Sequence, residues 1–398
     1  MPRRFPEEIA AWRLPERLTV SEHSDKYRVL RQSAKPGPWR TDNTPYLREV
    51  MDAFADSDIE EIVLCTGTQV GKTESINNAL LYVIHQDPAP SMLVYPTVAD
   101  AESISKNRLE VMFRACRAVK DRWEERRSTT LEMQFWGMFL ALCGANSASS
   151  LASKPIRYLF LDEVDKYPPY IGDEGDPINL AKERLKTYTG ISKCLMSSTP
   201  TVETGNIWTA LTSSDDRRTY RVPCPHCGAF QKLEWQRVKW PEDLQAMIHD
   251  AGGDKAKLRK ASQKIRYATW YECSECGQRI ADRPEVRMSM LRAGHWESEE
   301  PPDGPIRRVG YHLSSLYSPW VSWGRIAAEW VESYQFPEAL RNFINSWLAE
   351  PWIDKAAKTT IDEVLAKRAA NVRGEVPKDA KLLTAGVDVQ KDHFWYEI

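Results

Sequence analysis

Between residues 60 and 199, short apolar runs alternate with stretches in which apolar residues recur every three or four positions. A short apolar run predicts a buried strand, and the longer period predicts an amphipathic helix. The predicted strands are EEIVLC (60–65), SMLVYP (91–96), IRYLFLDE (156–163) and SKCLMSST (192–199). The predicted helices are 45–55, 73–86, 99–119 and 178–188, with a hairpin at 131–143 that turns near Gly137. This alternation predicts an α/β fold whose central, mostly parallel sheet has helices on both faces.

The pattern divides the rest of the chain into further segments. Residues 1–45, with many Pro and charged residues, predict an extended N-terminal arm that leads into an α/β core at 46–216. After about 216 the alternation stops. The remaining predicted segments are an insertion at 217–290, a lid or C-terminal subdomain of the core at 291–365, a linker at 366–381, and a new strand, LLTAGVDVQ, within 382–398.

Composition indicates a globular protein without a global charge preference. Hydrophobic residues make up 42% of the 398 positions, and 54 Lys plus Arg stand against 56 Asp plus Glu. Any nucleic-acid contact is therefore expected from a local patch. No apolar run approaches the roughly 20 residues that span a bilayer, and MPRRFPEEIAAW lacks the apolar core of a signal peptide, so we expect a cytosolic protein without a membrane partner.

The first predicted strand leads into TGTQVGKT, which matches a phosphate-binding loop except that Thr66 stands where the first Gly is usual. In such a loop, backbone N–H groups and a helix N-terminus surround the phosphate oxygens, a lysine meets the β and γ phosphates, and a hydroxyl ligates Mg²⁺. A chance GKT at a helix start is the alternative. We expect ATP and Mg²⁺ to be bound by Thr66, Gly67, Thr68, Gln69, Val70, Gly71, Lys72 and Thr73.

The strand YLFLDE ends in two acids, at the edge of the sheet where the loop is expected. The pair predicts a division of labour, in which Asp162 holds the Mg²⁺ shell and Glu163 orients and deprotonates the attacking water. Two solvated acids that close a strand are the alternative. Asp165 is expected to be a surface acid.

The last predicted strand ends in Ser197, Ser198 and Thr199, whose hydroxyls would lie next to the γ-phosphate. Thr199 is the candidate sensor of phosphate loss. An isolated SSTP is more often a helix cap or turn, but its position after the other two motifs favours the functional interpretation.

Two CxxC pairs predict a tetrahedral, structural Zn²⁺ site. Cys224 and Cys227 form one knuckle, Cys273 and Cys276 form the other, and residues 228–272 must be looped out between them. A closed site with four sulfurs leaves no position for a catalytic water. A metal-free ribbon is the alternative, and the other four cysteines are expected to be buried thiols of a reducing compartment.

The looped-out segment carries a group of cations that could contact DNA phosphates. A solvated helix face is the alternative. The aromatic residues within 311–330 and 343–352 are expected in a core rather than as platforms for stacking on bases. The cations are Lys255, Lys257, Arg259, Lys260, Lys264 and Arg266.

In their order, the motifs resemble the lambda-type large terminase subunits of tailed bacteriophages. The likeness runs through PGPWRTDNTPYLREVMDAF, TGTQVGKT, YPTVADAESISKNRL, YLFLDEVDKYP, SSTPT, CPHCG, GYHLSSLYSPW and FINSWLAEPW. The resemblance implies a RecA/ASCE-type P-loop ATPase, into which the zinc ribbon predicted from the cysteines is inserted, joined to an RNase H-like nuclease that cuts DNA with two divalent metals. It also implies translocation of double-stranded DNA, a small terminase subunit and a portal protein of the procapsid as partners, a homo-oligomeric ring during packaging, and the host bacterial cytoplasm, with transient docking on the portal.

Three residues take their expected roles from the resemblance. Tyr46, in TPYL, matches the adenine-contacting segment, and Arg108, in SKNRL, is the candidate arginine that stabilises the transferring phosphate. Asp388, in AGVDVQ, matches the first metal-binding aspartate of the nuclease. Its partner acids would lie beyond Ile398, so we expect no DNA cleavage from the chain as it stands. Many relatives in the lambda group have an altered phosphate loop, whereas Lys72 occupies the usual position here.

Two other functions remain open at this point. A superfamily 2 helicase or translocase shares the three motifs but needs a second RecA-like domain, and the sequence shows no second set of strand–helix alternations. A nonenzymatic, zinc-bearing DNA adaptor would leave Lys72, Asp162 and Glu163 without a role.

Overall fold

The computed structural model describes residues 16–31, 33, 35–172 and 174–353, together with the backbone of two later strands. It forms two compact units, Met1–Trp352 and Ile353–Ile398. Among the described residues, no helix is long and apolar enough to cross a membrane. The expected linker at 366–381 and the first part of the arm lie outside the described residues.

A ten-stranded sheet forms the centre of the first unit. The strands of this unit are β1 (Val29–Leu30), β2 (Gly37–Pro38), β3 (Glu61–Thr66), β4 (Ser91–Tyr95), β5 (Glu132–Phe135), β6 (Met138–Gly144), β7 (Tyr158–Asp162), β8 (Lys193–Ser198), β9 (Asp216–Pro223), β10 (Phe230–Lys232), β11 (Val238–Lys239), β12 (Trp270–Glu272), β13 (Arg279–Ala281), β14 (His295–Ser298) and β15 (Arg308–Leu313). In the second unit, β16 (Gly386–Val389) and β17 (Phe394–Glu397) pair antiparallel.

The large sheet has the order β10-β9-β15-β3-β8-β7-β4-β6-β5, with β14 also paired to β9. The strands from β9 to β6 in this order are parallel, and β5, β10 and β14 are antiparallel additions at the margins. The expected hairpin at 131–143 is β5–β6. A smaller sheet contains β11, β12 and β13.

Helices cover the sheet on both faces, as the alternation predicted. The helices are α1 (Val20–Tyr27), α2 (Leu47–Asp52), α3 (Lys72–Gln86), α4 (Val98–Ile104), α5 (Glu110–Ala115), α6 (Arg117–Lys120), α7 (Ala148–Leu151), α8 (Pro177–Lys182), α9 (Asn206–Thr212), α10 (Glu242–Ala251), α11 (Lys255–Ala268), α12 (Pro284–Arg292), α13 (Trp323–Ser333) and α14 (Pro337–Phe343). Short 3₁₀ segments occur elsewhere, and π-helical turns occupy Ser105–Leu109 and Ile344–Leu348.

Strand β3 shows why the central strands are continuous apolar runs. Its successive side chains point to opposite faces of the sheet. Ile62 and Leu64 belong to the larger hydrophobic core, while Val63 and Cys65 belong to the core on the other side. Because both faces are covered, polar alternation is absent, as is usual in parallel sheets.

Three expectations from the sequence need correction. The arm at 1–45 is not extended throughout, because α1 forms within it and is started by a capping box between Thr19 and Glu22. The helix expected at 99–119 is divided by the π-helical turn Ser105–Leu109 and by extended backbone at Cys116. The helix expected at 178–188 continues beyond Lys182 only as a 3₁₀ segment.

The sheet also crosses the expected boundaries at 216 and 290. β9 belongs to the expected insertion and β15 to the expected lid, yet β15 lies between β3 and β9 and is parallel to both. Of the aromatic residues that were expected in the core, Tyr311, Tyr317 and Trp323 are buried, whereas Trp320 is 48% exposed. This position of β15 brings the residues that follow it behind the phosphate loop.

Candidate active site and four-cysteine centre

The loop between β3 and α3 turns sharply so that Lys72 and Thr73 open the helix. Gly71 adopts a φ of 88° and Gln69 a φ of 59°, both in the left-handed region. Glycine adopts such angles readily, whereas a glutamine there stores strain of the kind that clusters at functional sites. The turn aims the free N–H groups of the first helical turn at the carboxyl edge of the sheet.

Lys72 connects the loop to both neighbouring strands. Its Nζ lies 2.7 Å from Thr199 Oγ1, just after β8, and 3.0 Å from Glu163 Oε1, just after β7. Lys166 contacts the other carboxylate oxygen of Glu163 at 3.2 Å. Burial raises the pKa of Glu163, but the two lysines outweigh it, so the pKa is lowered from its usual value. Glu163 is therefore an anion at neutral pH.

Thr73 and Asp162 form the second contact across the site. Thr73 Oγ1 donates to Asp162 Oδ2 at 3.1 Å, and Ser197 Oγ donates to Asp162 Oδ1 at 2.6 Å. Burial raises the pKa of Asp162, and the hydroxyl donors counteract part of this shift. A hydroxyl beside a carboxylate offers the oxygen ligands that Mg²⁺ prefers, so these residues fit the expected metal.

The structure thus brings Lys72, Thr73, Asp162, Glu163 and Thr199 together. Glu163 has a φ of 59°, which is unusual for a residue with a side chain and turns the chain out of β7. Parallel strands that are neighbours in the sheet present their carboxyl ends at one edge, and the three motifs follow β3, β7 and β8, which are such neighbours.

Asp165 is not the surface acid that we expected. Its Oδ2 accepts hydrogen bonds from the N–H and the hydroxyl of Thr201, both at 2.8 Å, and its Oδ1 accepts from the N–H of Ile207 at 2.7 Å. Burial raises its pKa despite these donors. The carboxylate satisfies N–H groups at the start of α9, a favourable position for an anion, and so ties β7 to the segment after β8.

Serine side chains that the sequence did not single out hold the phosphate loop from behind. Ser315 Oγ donates to the carbonyl of Thr68 at 2.7 Å, and Ser318 Oγ donates to the carbonyl of Gln69 at 2.6 Å. Ser346 contributes its backbone, whose carbonyl accepts from the N–H of Thr68 at 2.7 Å. We call Ser315, Ser318 and Ser346 the loop brace. The motif GYHLSSLYSPW contains two of them, but its sequence carries no sign of this contact.

Glycine is required at position 67 by the same brace. A Cβ on Gly67 would lie 2.5 Å from Ser315 Oγ and 2.9 Å from the carbonyl oxygen of Ser346. The N–H of Gly67 donates to the carbonyl of Leu313 at 2.9 Å, at the end of β15. The outer half of the loop is therefore fastened to β15 and to the π-helical turn Ile344–Leu348.

Tyr46 has a supporting role instead of the expected contact with adenine. Its side chain is fully buried, its hydroxyl donates to the carbonyl of Val70 at 3.1 Å, and its own carbonyl accepts from Trp296 Nε1 at 2.7 Å. Burial raises the pKa of its hydroxyl. No surface of the ring is free to stack on a base.

Arg108 lies beside the first turn of α3. Its guanidinium is half-exposed and is 3.5 Å from Glu74 Oε1. Glu74 also forms an ion pair with the buried Arg28. Arg108 therefore lies near the loop helix, but its described ion pair is with Glu74 rather than with the acids of β7.

The four cysteines meet at one point next to the small sheet. Their sulfurs all lie within 4.8 Å of one another, with Cys224 and Cys276 3.9 Å apart and Cys227 and Cys273 3.8 Å apart. Tetrahedral ligation with Zn–S bonds of about 2.3 Å requires sulfurs about 3.8 Å apart, so the geometry fits zinc. Burial raises the pKa of Cys273, but N–H donors of its knuckle outweigh this and lower it to about 7.

Asp388 lies in β16 of the second unit. Its backbone pairs with that of Trp395 in β17, and its side chain lies outside the described residues. The role expected for it stays a prediction.

Comparison with known proteins gives relatives for nearly the whole chain. The large terminase subunit of Escherichia phage lambda is 27% identical over 96% of this chain, and that of Enterobacteria phage P21 is 25% identical over 96%. The chain spans 60% of the length of each of these relatives. Among solved structures, the match to the large terminase of bacteriophage HK97 covers 84% of this chain and 55% of the HK97 chain, with 13% sequence identity and a TM-score of 0.45. The match to the large terminase ATPase domain of Thermus phage P74-26 covers 81% of this chain and 99% of that domain, with 15% sequence identity and a TM-score of 0.39.

Two family models match consecutive parts of the sequence. The endonuclease domain of the terminase large subunit gpA matches residues 308–398. The ATPase domain of the phage terminase large subunit gpA matches residues 33–296, well over half of the chain. The chain therefore belongs to the gpA family of phage terminase large subunits.

Proposed function

We propose that this chain is the ATP-hydrolysing part of a DNA-packaging motor, which moves double-stranded phage DNA into a procapsid. The observation that carries the proposal is the position of Lys72, within hydrogen-bonding distance of both Glu163 and Thr199. A lysine, a carboxylate and a hydroxyl from three separate motifs surround one point at the carboxyl edge of the sheet. Such an edge is where ligands bind in open α/β sheets.

Each side chain has a proposed task in hydrolysis. Lys72 and the N–H groups at the start of α3 hold the phosphate oxygens of ATP, and Thr73 and Asp162 hold Mg²⁺, which supplies charge neutralisation on the transferring group. When a phosphate oxygen takes over the ammonium of Lys72, Glu163 loses a neighbouring cation and its pKa rises. Glu163 then becomes a better acceptor for the proton of the attacking water.

Further proposals rest on the resemblance and on the cysteine geometry. Cys224, Cys227, Cys273 and Cys276 hold a structural Zn²⁺ in a zinc ribbon, and Asp388 belongs to the first strand of an RNase H-like nuclease. Arg108 stabilises the transferring phosphate, for which it would have to leave Glu74. The partners are a small terminase subunit and a portal protein, in a ring of copies that works in the host cytoplasm. The ATPase core takes in β9, β14 and β15, and the segment between β9 and β14 is the insertion.

The topology supports this proposal over a superfamily 2 helicase. In the described residues up to 353, β9, β10, β14 and β15 follow the third motif and join the first sheet. The other strands in this part, β11, β12 and β13, form only a small antiparallel sheet, which is not a second RecA-like sheet. β9 and β15 extend the core beside β3.

The deciding experiment measures steady-state ATP hydrolysis, with and without duplex DNA, for the wild type and Glu163→Gln. We expect the variant to lose at least about 100-fold in rate, because general-base catalysis contributes about that much or more. Its ATP affinity should stay within a few-fold of the wild type. Glu300→Gln, which alters a side chain that is 83% exposed, is the matched control and should hydrolyse ATP normally. Equal rates for Glu163→Gln and the wild type would remove the ATPase proposal.

A further inference from the structure

A groove with basic walls opens beside the four-cysteine centre. It encloses about 620 Å³ between the end of α11 and the hairpin β12–β13. We call it the basic groove and define it by Arg266, Tyr267, Trp270, Arg279 and Arg283, which line it. Arg279 stands three residues after Cys276, so the cysteine knuckle positions one wall.

Among the described residues, no acidic side chain neutralises the arginines of the basic groove. In the part of the chain that the structure describes, Arg266, Arg279 and Arg283 form no ion pair with a carboxylate, and all three are exposed. Asp282 also lines the groove, but its carboxylate is directed inward. It accepts from the N–H of Gly324 at 2.7 Å and lies 3.1 Å from Arg287 Nε.

Helix α11 extends the same charge along its solvent face. Its buried side chains, Leu258, Ala261, Ser262 and Ile265, fix the rotation of the helix, so its lysines and arginines point outward. A merely solvated helix face usually mixes acids with bases in pairs three or four residues apart. Residues 255–268 contain no acid, although the whole chain has a net charge of −2. The excess of positive charge on α11 is therefore a local feature and does not reflect the charge of the whole chain.

Two aromatic residues, Tyr267 and Trp270, also line the basic groove. Tyr267 is 87% exposed, more than any other large hydrophobic residue of the described chain. The guanidinium of Arg279 lies 4.0 Å from the centroid of the Trp270 ring. Stacking holds the guanidinium plane while its N–H edge stays free to donate to phosphate oxygens.

We propose that the basic groove and the solvent face of α11 bind the phosphodiester backbone of duplex DNA. This inference rests on the proposed function and names a surface of the motor that the DNA touches. The helix has 14 residues and is about 20 Å long, so its cations can follow several phosphates of one duplex. Arg279 covers a face of Trp270, which leaves that face unavailable for stacking on an unpaired base.

The test compares two variants that each remove three positive charges from the whole chain. One is Arg266→Ala/Arg279→Ala/Arg283→Ala in the groove. The control is Arg117→Ala/Lys120→Ala/Arg126→Ala, whose side chains are exposed on another part of the first unit. Fluorescence anisotropy with a labelled 30-base-pair duplex of arbitrary sequence gives Kd over a series of KCl concentrations. We expect the groove variant to bind at least about tenfold more weakly, with a log–log salt slope reduced by about 2 to 3, since each phosphate contact contributes about 0.9.

Several outcomes would overturn the inference. These are equal losses in the groove variant and the control, no loss in the groove variant, or a larger loss for a single strand than for the duplex. Lys257→Glu/Lys260→Glu changes only exposed side chains of α11 and must also weaken duplex binding, which keeps the test valid if the triple variant does not fold. Basal ATP hydrolysis without DNA is measured on the same samples. If the groove variant hydrolyses ATP normally and binds the duplex as well as the wild type does, only the DNA-binding role of the groove is rejected. If the wild type does not hydrolyse ATP, the proposed function itself is rejected.

Discussion

The proposed nucleotide site and the four-cysteine centre are both assembled from short motifs far apart in sequence, but they are held in different ways. Lys72 begins α3 and Asp162 ends β7, at the edge of a sheet whose central strands β3, β7 and β8 are almost completely buried. The cysteines lie on turns after β9 and β12, beside a sheet whose strands have two or three residues. Apolar packing supports the first site, whereas a metal would hold the second together.

Because of this difference, we expect substitutions to affect mainly function in the first region and mainly folding in the second. A side chain of the nucleotide site can be removed while the sheet that presents it remains. The short strands beside the cysteines contribute Tyr271 and Ile280 to the main core, but the two cysteine turns would depend on a bound metal for their arrangement, because metal binding and the ordering of these turns are then one equilibrium. Substitutions near the cysteines should therefore change zinc content and protease resistance, whereas substitutions at the first site should change ATP binding or hydrolysis.

The largest effect is expected from Cys273→Ser, because structural zinc binding contributes on the order of 10 kcal/mol in small metal-dependent domains. Zinc in the purified protein should fall from about one ion per chain to none, and protease cleavage within 224–294 should become rapid while β3 to β8 stay protected. Elemental analysis and limited proteolysis measure both results. Ser274→Ala, in the same knuckle, is the control and should retain zinc. A wild type without zinc, or an unchanged cleavage pattern in Cys273→Ser, would contradict the prediction.

A smaller but still large effect is expected from Lys72→Ala. ATP affinity should fall at least about 100-fold, which corresponds to about 2.7 kcal/mol, because the ammonium that meets the β and γ phosphates is lost. Titration calorimetry measures the affinity, and the melting temperature should stay near that of the wild type. Lys166→Ala removes the other cation beside Glu163 and is the matched control, with ATP affinity nearly unchanged. Tight ATP binding by Lys72→Ala would show that the loop assignment is wrong.

The smallest effect is expected from the loop brace. Ser318→Ala leaves the carbonyl of Gln69 without its donor, and one such hydrogen bond contributes about 1 kcal/mol, or roughly fivefold in ATP affinity. The exposed Ser289→Ala is the control. A fall in ATP affinity with the rate at saturating ATP preserved would mark Ser318 as a positioning residue. Unchanged affinity would mean that the loop keeps its shape without the brace.

Local patterns were sufficient to predict the elements that carry the chemistry. The strand, loop and helix around Lys72, the acids after β7 and the hydroxyls after β8 each follow from a few consecutive residues. Their meeting could be expected as well, because parallel neighbouring strands present their carboxyl ends at one edge. The cysteine spacing predicted the four-sulfur cluster for a similar reason, since each CxxC turn brings two thiols together.

What the sequence by itself determined is therefore the set of motifs, the alternation that builds a parallel sheet, and the residues that meet at the two sites. Only the tertiary structure decided that β15 lies beside β3, that Ser315 and Ser318 hold the phosphate loop, that Tyr46 is buried beneath it, and that Asp165 ties α9 to β7. The physical reason is the range of the interactions. Periodicity and motif spacing report contacts within a few residues, whereas the loop brace depends on which strand fills the place next to β3, and about 250 residues of intervening chain leave that choice to packing.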